Sequence, residues 1–138
     1  MITDWTVELA NYCRENLPNG DIEVYSDHNP FREWQGTPTL EFSVRDVNQI
    51  NFISGGYKRE IAMSALTRGE NERQSETLTL WVLNTALRNA LNELKSDNRI
   101  EGWTITEIAT SPDARGLATG ESFYGYVDFT IYEKPTDF

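Results

Sequence analysis

The sequence predicts an α+β domain: a mainly antiparallel β-sheet packed by one long central helix and an N-terminal helix. Three observations predict it. Apolar residues recur at helical spacing in two segments, residues 5–17 and 75–94. Apolar and polar residues alternate over 39–47 and 123–133, the signature of half-buried strands. The 138 residues hold no internal repeat, low-complexity tract or linker, so 1–138 reads as a single domain. A chain of about 150 residues buries roughly 68–70% of its unfolded surface, enough for one core.

In the first segment Trp5, Leu9, Cys13 and Leu17 fall four apart and stack on one helix face. Thr3 is the expected N-cap, Asp4 and Glu8 lie near the positive end of the dipole, and Pro18-Asn19-Gly20 stops the helix. Cys13 then sits on the buried stripe as a small core residue. Ile22 and Val24 share one side of a short strand over Asp21–Tyr25. Ser26–Pro38 is polar, contains prolines and reads as a loop. In Thr39–Val47 the spacing sends Leu40, Phe42 and Val44 inward and Glu41, Ser43 and Arg45 outward. Ile50–Ile53, the turn pair Gly55-Gly56, and Tyr57–Thr67 with Ile61, Met63 and Ala65 on one face predict a β-hairpin.

Arg68-Gly69-Glu70 ends that strand, and Asn71 with Gln74 has capping-box spacing, with Ser75 as a second possible cap. The long helix that follows buries Leu80, Leu83, Leu87, Ala90, Leu91 and Leu94, with Trp81, Val82 and Ala86 widening the stripe. Trp103–Ile108 is β-branched and aromatic, hence a strand. Ser111–Glu121 is a long loop. In the last strand Phe123, Val127, Phe129 and Ile131 face one way; Tyr124, Tyr126, Asp128, Thr130 and Tyr132 face the other. The three tyrosines either cover a neighbouring element or form a protein interface, where Tyr is enriched.

Composition narrows the function. Twelve basic against 22 acidic side chains give a formal charge of −10, which argues against a broad phosphate-binding face. The longest apolar run, Leu80–Leu83, is far short of the ~20 residues of a membrane span. Met1-Ile2-Thr3-Asp4 lacks the pattern of a secretory signal, which predicts synthesis in the cytoplasm. A single cysteine cannot form an internal disulfide. His28, the only histidine, stands beside Asp27 in a loop with no nucleophile elbow nearby. The carboxylates are scattered, and neither zinc spacing, a calcium loop nor a phosphate-cradling glycine motif occurs. No catalytic, metal or cofactor residue is therefore expected, and Asn29-Pro30-Phe31 reads as a turn.

The order of these elements resembles that of the tail-terminator (tail-completion) proteins of long-tailed bacteriophages. The likeness rests on the helix around Asp4–Leu17, the strand near Pro38-Thr39-Leu40-Glu41-Phe42 and the hairpin strand Arg59–Arg68. It continues through the long helix over Ser75–Leu94 and the final pair Trp103–Ile108 and Tyr124–Glu133. It is a likeness of order and length, with no diagnostic motif, and Ser26–Pro38 has no counterpart in it. The resemblance implies a structural virion protein that forms a ring, hexameric in such proteins. The ring caps the head-proximal end of the tail tube, stops its growth and meets a head-completion protein, while DNA passes through without specific binding. A ring protomer needs two different patches that meet head to tail. Trp34, Tyr57, Tyr124 and Tyr126 are the candidate aromatic anchors, and Arg32, Arg59 and Arg115 the candidate partners for carboxylates of the next subunit. The competing expectation is an acidic binding module, an immunity or inhibitor protein that masks a basic partner surface.

Overall fold

The computed structural model describes residues 3–16, 22–29, 32–109 and 123–136. Helix α1 (Trp5–Glu15) leads into β1 (Glu23–Tyr25), β2 (Thr39–Asn51) and β3 (Tyr57–Gly69). Helix α2 (Glu72–Trp81) passes through a π-helical segment (Val82–Leu87) into α3 (Arg88–Ser96), and β4 (Ile100–Ala109) and β5 (Phe123–Glu133) close the chain. The five strands form one sheet in the order β1-β2-β3-β5-β4. All neighbours are antiparallel except β1 and β2, which run parallel, so the α+β fold carries a mixed sheet. Both helical elements pack on the same face, and among the described residues no helix lies on the opposite one.

The core lies between the sheet and the helices: Leu40, Phe42, Ile61, Met63, Val127, Phe129 and Ile131 meet Trp5, Leu9, Cys13, Leu87 and Leu91. The alternation of β3 and β5 holds as expected. Asp4, not Thr3, caps α1: its carboxylate accepts from the Thr6 backbone N–H at 3.1 Å, because helical geometry begins at Trp5. Leu17 and the stop at Pro18–Gly20 lie outside the described residues. Asn71 caps α2 by accepting from the Gln74 N–H at 2.8 Å, while the Gln74 side chain reaches the Glu70 N–H.

The long helix corrects its expected stripe. Leu80 is 42% exposed, and the N-terminal half buries Ser75, Leu78, Thr79 and Val82. The π-helical segment takes up one extra residue, so Thr79 rather than Leu80 comes into phase with Leu87, Ala90 and Leu91. The side chain of Leu83 lies outside the described residues. Burying Thr79 has a partner condition. Its hydroxyl donates to the Ser75 carbonyl at 2.8 Å and accepts from Thr67 Oγ1 at 2.7 Å. Gly125 on β5 makes room for this pair: a Cβ there would collide with Thr79 Oγ1 and press on Thr67 Oγ1 at 3.0 Å.

Strand β2 is corrected as well. It runs unbroken from Thr39 to Asn51, so the hairpin is β2–β3, turned at Gly55 with φ +98°. Val44, expected inside, is 47% exposed. The register shift between Val44 and Asp46 places a bulge at Arg45, and from Ser43 on the strand extends past its packed end. Glu41, expected to be solvated, is buried.

Candidate protein interface

The structure divides the sequence-predicted contact residues into three groups. The first sits where residues 26–29 and 32–38 lie as a strap against the face of the sheet opposite the helices. Strand β1 ties its start to Thr39–Glu41 through the parallel register Val24 against Leu40. Arg32 of the strap pairs with Glu41, whose side chain is 3% exposed, and also reaches Asp27 at 3.3 Å. His28 Nδ1 lies 3.4 Å from the same Glu41 carboxylate. The Arg32 guanidinium stacks 3.6 Å from the centroid of Tyr25, and Arg68 donates to the Arg32 carbonyl at 3.0 Å. Arg68 in turn lies between Trp34 and Tyr124, 5.2 and 5.1 Å from their ring centroids.

This cluster corrects two expectations. Tyr124 is not an exposed anchor: it is 8% exposed, and burial pushes its hydroxyl pKa up while Arg68 pulls the other way. Arg32 does not await a carboxylate from another subunit, because Glu41 of its own chain takes it. A buried carboxylate needs a paired charge, and the strap supplies it. Trp34, whose ring meets Arg68, is half-buried.

The second group lies at the turn end of the β2–β3 hairpin. Arg59 grips Glu133 through two bonds, Nε to Oε1 at 2.6 Å and Nη2 to Oε2 at 2.7 Å, which holds its pKa above the usual value. Trp5 Nε1 donates to the same carboxylate at 2.6 Å. Arg59 is thus an internal clamp between β3, β5 and α1, correcting its expected intersubunit role. Tyr57, half-buried beside it, exchanges backbone bonds with Thr136 at 2.8 and 2.6 Å.

The third group is Tyr126, on the face of β5 opposite the helices. Its hydroxyl donates to Glu107 on β4 at 3.0 Å, and that bond raises the tyrosine's pKa. Beside it Ser64 Oγ donates to Asp128 at 2.5 Å, and Arg45 stands 3.5 Å from that carboxylate. Tyr132 and Leu66 are half-buried on this same face. Arg115 lies outside the described residues.

Sequence reading missed the most accessible apolar surface. Val44 (47% exposed), Val47 (44%) and the fully exposed Ile53 belong to the β2–β3 hairpin. Among the described residues β1 covers β2 only from Thr39 to Glu41, so the outer edge from Ser43 to Asn51 has no strand beside it. Pairing of β3 with β5 runs to Glu60, and Tyr57 bonds Thr136 beyond it, so the side of the hairpin that stays without a neighbour among the described residues is the outer edge of β2. A signal was present: Asp46, Asn48, Gln49 and Asn51 put polar groups on both faces, which no covered strand does.

Between α1 and α3 lies a cleft of about 300 Å³ lined by Glu8, Tyr12, Glu15, Glu93, Asp97 and Arg99. Arg99 binds Glu8 at 3.0 and 3.1 Å and holds that carboxyl below its usual pKa. Among the described residues no three His, Cys, Asp or Glu side chains converge to hold a metal ion, and no helix is long and apolar enough to cross a membrane. No protein-family model matches the chain, and comparison with curated proteins gives no match.

Proposed function

We infer that the chain is a structural subunit that assembles head to tail into a ring, as do the tail-terminator proteins it resembles in element order. The observation that carries this reading is the outer edge of β2: among the described residues no strand lies beside Ser43–Asn51, and Val44 and Val47 face water. A neighbouring subunit would cover both. In such a ring, hexameric by that resemblance, the assembly would cap the head-proximal end of a tail tube and stop its growth. It would then present a surface to a head-completion protein, so that the working location is the virion tail. The −10 charge of each copy suits a channel through which DNA passes, since carboxylates repel phosphate.

Size-exclusion chromatography with light scattering, followed by negative-stain imaging, tests the reading. Annuli of one defined subunit number support it; a monomer at millimolar concentration, with or without tube protein, refutes it. The acidic cleft between α1 and α3 favours one other reading, an acidic module that masks a basic partner. That module would stay monomeric or dimeric and bind its partner less tightly as salt rises.

A further inference from the structure

Resting on the ring reading, we propose that the subunits join sheet to sheet, the bare edge of β2 in one copy pairing with the outer edge of β4 in the next. Strand direction makes this contact available. Strands β2 and β5 run one way and β3 and β4 the other. Two copies side by side in the same orientation therefore bring β4 antiparallel to the next β2, with helices on the same side. No inversion is needed, and the contact is heterologous, the kind that closes rings by rotation.

Among the described residues neither edge has a strand beside it, and their apolar residues match. Strand β4 ends the sheet, and bulges at Glu101 and Thr106 leave Gly102–Ile105 as its regular stretch. On β2 the regular stretch is Asp46–Asn51, beyond the bulge at Arg45. Cross-strand partners place Ile105 and Ile108 of β4 on the helix face, where Val44 and Val47 of β2 also point. Joining the edges would bring Val44 and Val47, together with Ile108 (42% exposed), into one apolar row. Of the hairpin's cations over residues 45–59, Arg45 and Arg59 are held by Asp128 and Glu133 of their own chain, and Lys58, beside Ile50 of β2, is the one that faces Glu101 and Glu107, the only charged residues of β4, across such a contact.

Cysteine cross-linking tests the contact. Asn48 and Thr104 are exposed on the face of their strands opposite the helices, and facing residues of an antiparallel pair come within disulfide reach. Native Cys13 is buried, so the unaltered chain is the negative control. Asn48→Cys and Thr104→Cys are made singly and together, with Asp46→Cys alongside to cover a two-residue difference in register. Mixed single variants should give covalent dimers containing one of each, and the double variant a ladder ending in a closed product. Either single variant dimerising with itself would overturn the proposal. So would annuli that form without cross-links, an outcome that leaves the ring reading standing. Absence of both annuli and cross-links refutes both.

Discussion

Replacing Gly125 by Ala tests how the long helix is seated on the sheet. The added methyl would collide with Thr79 Oγ1, and it would lie 3.0 Å from Thr67 Oγ1 and 3.1 Å from the Ala109 carbonyl. Crowding a packed interior costs about 1–3 kcal/mol. Forcing the Thr67–Thr79 hydrogen bond apart adds about 1 kcal/mol. Against this, Ala reduces the entropy of the unfolded chain, a gain of only ~0.4–1 kcal/mol. The clash wins, and a net loss of about 2–3 kcal/mol is expected. For a chain of this size each kcal/mol shifts Tm by roughly 3–4 °C, so the drop should be about 6–12 °C. Urea unfolding and calorimetry on Gly125→Ala, Thr79→Ala and the double variant form a thermodynamic cycle. Thr79→Ala removes the oxygen in the way, so the double variant should recover at least ~1 kcal/mol relative to the sum of the singles. Strict additivity, or a Gly125→Ala protein as stable as the parent, would refute the close approach of α2 to β5.

Three further outcomes are expected. Leu87→Ala removes a fully buried side chain just where the π-helical segment ends, and should cost about 2–5 kcal/mol by urea unfolding; a loss under ~1 kcal/mol would take that turn out of the core. Burial pushes the Cys13 thiol up to about 12, so it should resist a thiol reagent at pH 8 in the native protein and react at once in denaturant. The Arg99 hydrogen bond lowers the folded pKa of Glu8 below its ordinary 4.5, so the stability it adds is present above that value and is lost as pH falls through the folded pKa. Because the pair is about 40% exposed, Glu8→Gln should cost under ~1 kcal/mol at pH 7 and flatten the acid limb of the stability curve, as read by thermal melts from pH 7 to 3.

The candidate interface was legible only in part. Tyr126 faces outward as its strand period requires, because parity along β5 is a local property. Tyr124 shares that parity but is buried, since the strap that covers it comes from residues about 90 positions earlier in the chain. Arg32 and Arg59 look alike in sequence, yet each is spent on a carboxylate, Glu41 and Glu133, that the fold delivers from another strand. Nothing in a local window distinguishes a cation with such a partner from one without.

The sequence alone determined the element order, the α+β class, the Asn71 cap of α2 and the inward faces of β3 and β5. Each follows from short-range periodicity and from which side chains accept a backbone N–H. Tertiary structure alone decided which face of the sheet the helices cover, the one-residue phase shift that buries Thr79 and leaves Leu80 in water, and the bare edge of β2. Those depend on how far each layer extends over its neighbour, and burial is a property of the layer above a residue as much as of the residue itself.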